Sequence, residues 1–260
     1  MCRRLIPGFI VMGRRIYISI DNVNWAVRDK LHLEALAFNM LIKKSYTSSV
    51  LVNASIRRCK DEFKIGTTRM SRIMKNGLSY GLLKRSSNNI IAQKVRDKGC
   101  NVTLVFEDRF YSLKEVIKMI QESILLNHVR KQSFLVDAVK KAREPKNSRE
   151  RVYGRRVLDR MPHIKEAFEG LSNKRIMNIT NTKRYTAKKL IKSLVSKGKV
   201  LMNHIIVDTE IRPERFSTDA ARFDRLNGNV GYLLFDAKRN MIVCQLANSY
   251  KYNCDEIRFK

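Results

Sequence analysis

Two amphipathic stretches of equal length, residues 68–81 and 185–198, each end on a glycine and run straight on into apolar residues. In the first, Met70, Ile73, Met74 and Leu78 recur at helical spacing; Ala187, Leu190, Ile191 and Val195 stand at the same steps in the second. Such spacing gathers apolar side chains into one stripe on a helix. A glycine just past the last periodic residue can take the left-handed conformation that stops the helix. A helix this short is marginal by itself, so each stretch demands partners to cover its stripe. Self-similarity of this kind marks a duplicated unit.

The flanking residues say what those partners are. Residues 25–46 read as one helix, with Leu31, Leu33, Leu36, Ala37, Met40, Leu41 and Ile42 at helical spacing and Lys43 and Lys44 in the last turn. Residues 48–52 are a short candidate strand. Asn53 is the expected N-cap of a second helix through Phe63, with Ile56, Cys59 and Phe63 on one face. Lys64-Ile65-Gly66-Thr67 makes a tight turn, Thr68 opens the third helix, and Gly81 closes it. Strands follow at 82–85 and 89–94, joined by Ser86-Ser87-Asn88, and a third at 101–106 follows the turn at Lys98-Gly99. This order resembles a winged helix-turn-helix domain over residues 25–107.

The second half repeats the order. Ser172 caps a helix through Ile179, Thr180 and Asn181 turn, a third helix covers 182–197, Gly198 stops it, and 199–207 begins a wing strand. Residues 171–200 resemble the helix-turn-helix core of winged-helix regulators and replication proteins. Residues 113–142 read as one long or two shorter helices, carrying Val116, Met119, Ile120, Ile124 and Leu125. That helix could join the two winged domains or form the seam of a homodimer, and packing within its own domain is the plainer reading. The basic stretch 141–156, with Pro145 and almost no apolar residue, reads as a linker or an exposed helix start. Residues 229–235 and 241–246 read as strands of a hairpin.

Charge then points to a partner. The chain has 53 Lys and Arg against 24 Asp and Glu, a formal net charge of +29. A folded chain that keeps so much self-repulsion implies a polyanion, with nucleic acid ahead of an anionic membrane surface. Between Gly170 and Val207 there are nine Lys or Arg and no Asp or Glu. A merely solvated helix mixes signs for i,i+4 pairing. The outward face of the last helix would present Lys183, Arg184, Thr186, Lys188, Lys189 and Lys192, donors suited to phosphates and base edges in a major groove. In the first half the corresponding face would present Thr67, Thr68, Arg69, Ser71, Arg72, Lys75 and Asn76, but Asp61 and Glu62 stand just before it. There, contact with DNA through Thr68, Arg69, Arg72, Lys75 and Asn76 competes evenly with a purely structural role.

Other chemistries find little footing. There is no Walker A loop, G-x-G-x-x-G, nucleophile elbow or paired-histidine nickase motif. Tyr80, Tyr111 and Tyr153 lack the arginine and histidine companions of a recombinase nucleophile. Cys2, Cys59, Cys100, Cys244 and Cys254 stand singly, which suits core filler in a reducing cytoplasm and argues against zinc. His128, His163 and His204 read as ordinary surface or boundary residues. Asp236 and Lys238 after a strand, with Asp224 upstream, resemble the metal-binding core of PD-(D/E)xK nucleases, where carboxylates would hold Mg²⁺ and the lysine would place water. A polar turn between two strands yields the same residues without catalysis. No run approaches the ~18 apolar residues of a membrane-spanning helix. The uncharged run after Arg3 and Arg4 is split by Pro7-Gly8 and lacks a cleavage site, so it is not expected to be a signal peptide; Met12 as the natural start is a plainer reading.

The expectation is therefore an α+β, mainly helical chain. It has an N-terminal extension (1–24), a first winged-helix-like domain (25–110) and a connecting helix with basic linker (111–156). A second winged helix-turn-helix domain (157–212) and a C-terminal hairpin region (213–260) follow. It would bind double-stranded DNA in the cytoplasm without catalysis, metal or cofactor. Two basic winged helices in one chain resemble the replication initiators of plasmids and phages, and a transcriptional regulator of a mobile element fits nearly as well. The nuclease above and a basic scaffolding protein are the alternatives from other classes.

Overall fold

The computed structural model describes residues 14–143, 147–149, 152, 171–204, 206–208, 223–226, 229–245 and 248–253. The run around Met12, much of the stretch 141–156, Tyr153, His163, Cys2 and Cys254 lie outside these residues. The chain is α+β, mainly helical with small antiparallel sheets, and divides into two units, Met1–Ile124 and Leu125–Lys260.

The first unit begins earlier than expected. Strand β1 (Arg14–Ser19) pairs antiparallel with β5 (Asn101–Phe106), Ile16 opposite Leu104 and Ile18 opposite Val102. Alternation buries Ile16 and Ile18, so residues assigned to an extension belong to the folded unit. The single helix expected over 25–46 is two, α1 (Ile20–Arg28) and α2 (Lys30–Ser45). Asp29 separates them in an extended conformation, its carboxylate accepting the Leu31 N–H at 2.9 Å. A short acceptor side chain gains this bond only outside a helix, which is why Asp breaks the run. From His32 to Ile42 every residue of α2 is buried, so this helix is the centre of the unit. Asn39 ties it to neighbouring chain, donating to the carbonyls of Leu82 (2.5 Å) and Gln93 (3.1 Å).

After β2 (Val50–Leu51), Asn53 takes φ 50, which asparagine tolerates, and the cap passes to Ser55, whose hydroxyl accepts the Arg58 N–H. Helix α3 (Ile56–Phe63) buries Cys59 and Phe63 but leaves Ile56 largely exposed. Helix α4 (Thr67–Ser79) leads into β3 (Leu83–Ser86) and β4 (Asn89–Ala92), giving a three-stranded sheet in the order β2-β4-β3.

Helix α5 (Leu113–Arg143) opens on a reciprocal cap: Ser112 Oγ accepts the Glu115 N–H (3.3 Å) and the Glu115 carboxylate accepts the Ser112 N–H (2.9 Å). Its Val116 and Ile120 are buried in the first unit, while Leu125 and Val129 belong to the core of the second. That core joins them to Leu171, Ile176, Ala187, Leu190, Ile191, Leu194 and Val200, from α6 (Asn173–Thr180), α7 (Arg184–Ser196), β6 (Val200–Asn203) and the residue before Ser172.

The repeat holds in the backbone. From the α3 cap Ser55 to the α6 cap Ser172 is a step of 117 (172 minus 55), and the same step relates left-handed Lys64 to Asn181 and Gly81 to Gly198, both at φ 67. It also carries β3 onto β6. The inward sites are Met70, Ile73, Met74 and Gly77 in α4 and Ala187, Leu190, Ile191 and Leu194 in α7. The fourth position is thus one residue earlier than the expected Leu78 and Val195; Leu78 is 36% exposed. A step of seven returns closer to the stripe than a step of eight. Gly77 has no side chain because Leu83 fills that space: a Cβ there would lie 2.5 Å from Leu83 Cδ1.

The repeats part company at the hairpin. In the first, β3 turns at Ser87 (φ 51) directly into β4. In the second, β6 pairs with β11 (Ser249–Tyr252), Val200 opposite Tyr252, and the chain between them builds another sheet. That sheet holds β7 (Ile206–Asp208), β8 (Phe223–Leu226), β9 (Asn229–Asp236) and β10 (Met241–Gln245), in the order β7-β10-β9-β8. The expected hairpin is present as β9 and β10. The expected strand 199–207 instead divides between two sheets, and the C-terminal region contributes β11 to the second repeat.

Candidate nucleic-acid interface

In α7 the inward residues Ala187, Leu190, Ile191 and Leu194 fix which side faces water. Lys183, Arg184, Thr186, Lys188, Lys189 and Lys192 are all exposed, so the structure gathers the six residues singled out in the sequence onto one helix and its cap. Lys183, Arg184, Lys188 and Lys192 make no ion pair among the described residues. The first turn carries no acid and no side-chain cap, so its N–H groups add their own positive potential to that of Lys183 and Arg184.

The turn that presents α7 is held by hydrogen bonds. Thr180 is fully buried, donates to the Ile176 carbonyl (2.7 Å) and meets the Thr182 hydroxyl at 2.8 Å. Asn181 closes α6 in the left-handed conformation. Tyr185, absent from the sequence candidates, is 69% exposed on the same face, with Lys189 Nζ 4.3 Å from its ring centroid. The adjacent ammonium holds the phenol below its ordinary range. An outward aromatic four residues before a lysine was the available signal.

The α4 face is different. Thr68 and Lys75 stand in solvent and Asn76 is half-buried. Arg69 and Arg72, however, turn one guanidinium nitrogen each onto the two carboxylate oxygens of Glu34, at 2.9 and 3.1 Å. The Glu34 side chain is 3% exposed, and the arginines are 43% and 49% exposed. Burying a carboxylate in the middle of α2 demands compensation, and these two residues supply it. The first repeat therefore spends two of its five candidate contacts on its own core. Its hairpin strand β3 instead exposes Lys84 and Arg85, which are not among the sequence candidates; the equivalent positions of β6 are Leu201 and Met202.

Other candidate residues have local roles. Tyr80 donates to Asp29 Oδ2 (2.6 Å) and stacks on His32, and its phenol is raised by that carboxylate. Tyr111 is buried, its hydroxyl accepting the Glu107 N–H. Burial pushes the Cys59 thiol up to about 11; Cys100 is exposed and Cys244 buried. Asp236 accepts from Arg239 Nε (2.8 Å) and from the Lys238 backbone N–H (3.1 Å), as a turn aspartate does, and Arg239 holds its carboxyl down. Asp224 lies opposite Gly231, five residues along β9 from Asp236, which is about 17 Å at strand spacing. Among the described residues no group of three His, Cys, Asp or Glu could hold a metal ion, and no helix is long and apolar enough to cross a membrane.

No protein-family model, no curated protein and no solved structure matches this chain.

Proposed function

We propose that this protein binds double-stranded DNA, laying α7 into the major groove, and that it does so without catalysing a reaction. One observation carries the reading: the outward face of α7 carries Arg184, Lys188, Lys189 and Lys192 and no acid, on a helix–turn–helix whose other face is packed. An α-helix fits the major groove, and recognition helices contact base edges mainly through their N-terminal residues. Lys183 and Arg184 stand at that end, with Thr186, Lys188 and Lys189 next along the face and Lys192 within reach of the phosphate backbone. In the first repeat, Thr68, Lys75 and Asn76 with Lys84 and Arg85 would follow a second stretch of duplex.

The shared order of two helices and a following strand in both repeats, with a hairpin in the first and a β6–β11 pair in the second, supports a tandem winged-helix architecture. Two basic readers in one chain favour repeated target sites, as at the replication origins served by initiators of plasmids and phages; a transcriptional regulator is the other member of the same class. Selection from a random duplex library at ~150 mM salt tests the reading. A recovered consensus bound far more tightly than random duplex, and lost on changing Lys183, Arg184 and Lys188 to Ala, is the expected result. Uniform weak binding that disappears with salt would leave only a basic scaffold.

A further inference from the structure

The first unit carries a second cationic surface, remote from α4. Along α2, Lys43 lies nine residues beyond Glu34, about 14 Å of helix. Past β4, Val95 is buried and its carbonyl accepts the Ser19 N–H (2.8 Å) and the Asn22 side-chain amide (3.2 Å). On either side of it Lys94 and Arg96 are both exposed. Beside them β1 exposes Tyr17, 43% accessible, opposite Thr103 of β5.

Two hollows, of about 360 and 320 Å³, adjoin here and share Tyr17, Lys94 and Arg96 as walls. The first continues to Lys98, and the second reaches Arg14 and Lys43. The acid in these walls is Asp97, whose carboxylate already accepts the Lys98 backbone N–H (2.6 Å). Lys94 and Arg96 make no ion pair among the described residues. Arg14 and Lys43 are anchored in place by the carbonyls of Lys44 and Tyr46 and of Gln93, respectively.

We propose that this groove binds single-stranded nucleic acid, with a base stacked on Tyr17 and its flanking phosphates on Lys94 and Arg96. A duplex hides its base faces inside the stack and offers none to a tyrosine, whereas each unpaired nucleotide offers one. Cations tracking a concave path past an exposed aromatic are what such strands select. Hollows of a few hundred cubic ångströms are of the size of single nucleotides.

Fluorescence anisotropy of the full chain with labelled oligothymidylate, oligouridylate and a random duplex tests this, the first two probes separating DNA from RNA strands. Tyr17→Ala should weaken single-strand binding by about 5- to 150-fold, the range known for base stacking, while Tyr17→Phe keeps it and duplex binding stays within about two-fold. Arg96→Glu, a surface change, should act in the same direction and serves if Tyr17→Ala lowers the melting temperature. The α7 variant lacking Lys183, Arg184 and Lys188 should show the reverse pattern. Single-strand affinity unmoved by Tyr17→Ala and Arg96→Glu, or lost in equal measure with duplex affinity, overturns the proposal. Either result leaves the α7 reading standing, since that is scored on the duplex alone.

Discussion

Replacing Arg69 and Arg72 by Ala decides whether the α4 arginines serve the core or a nucleic acid. Each donates to one oxygen of a Glu34 carboxylate that is 3% exposed, at 2.9 and 3.1 Å. Either arginine alone still leaves Glu34 with a charged partner. One charged hydrogen bond contributes ~1.5–3 kcal/mol in full, and the half-exposed arginine ends bring that to roughly 1 kcal/mol per single change. Removing both strands a buried carboxylate, which costs about 3–5 kcal/mol. The double change should therefore exceed the sum of the singles by ~1–3 kcal/mol, the signature of a shared partner. In thermal unfolding that is a fall of about 10 °C for the double variant, against roughly 2–4 °C for each single. The assay is denaturant and thermal melting of the four proteins, with duplex affinity measured alongside. If the double variant melts within ~0.5 kcal/mol of the parent, as surface changes do, and loses duplex affinity instead, the clamp argument is wrong and α4 is a contact helix.

The cations of α7 should appear in the salt dependence of duplex binding: each phosphate contact adds about 0.9 to the slope of log affinity on log salt, so removing Lys183, Arg184 and Lys188 should flatten it by up to ~2.7 without lowering the melting temperature. Gly77→Leu, which copies the residue of the second repeat, should destabilise by about 3 kcal/mol, because Leu83 already occupies the space; adding Leu83→Ala should recover part of the loss in chemical denaturation. Burial lowers the Lys43 amine to about 8, while an unfolded lysine titrates near 10.4. The unfolded chain then holds more protons between pH 8 and 10, and this group's contribution to stability rises with pH across that window. Cys59, pushed up to about 11, works in the opposite sense above pH 9, so the readout is the difference between the parent and Lys43→Met, which should lack the rise and lose stability relative to the parent as pH climbs from 8 to 10.

Features that depend on near neighbours were legible in the residues themselves. Gly81 and Gly198 stop their helices because a left-handed residue is needed there and glycine takes it without strain. The stripes Met70-Ile73-Met74 and Ala187-Leu190-Ile191 follow from helical period alone, and so does the outward set from Lys183 to Lys192. The helix break at Asp29 and the choice of Ser55 over Asn53 as cap are not settled by the local residues, since neighbouring polar side chains can each cap a helix and the surrounding contacts choose among them.

What tertiary structure alone decided is which distant groups meet. Nothing in the period of α2 shows that Glu34 will be buried beside Arg69 and Arg72, that β1 will find β5 across the whole first repeat, or that β6 will skip an entire sheet to pair with β11. Helical spacing and turn chemistry act over a few residues and are written into the chain locally. Long-range pairing is selected by the free energy of the complete core, where closing a longer loop costs little more than closing a short one and many registers compete. The identity of each helix was therefore set by its own sequence, and the availability of its charges by the fold.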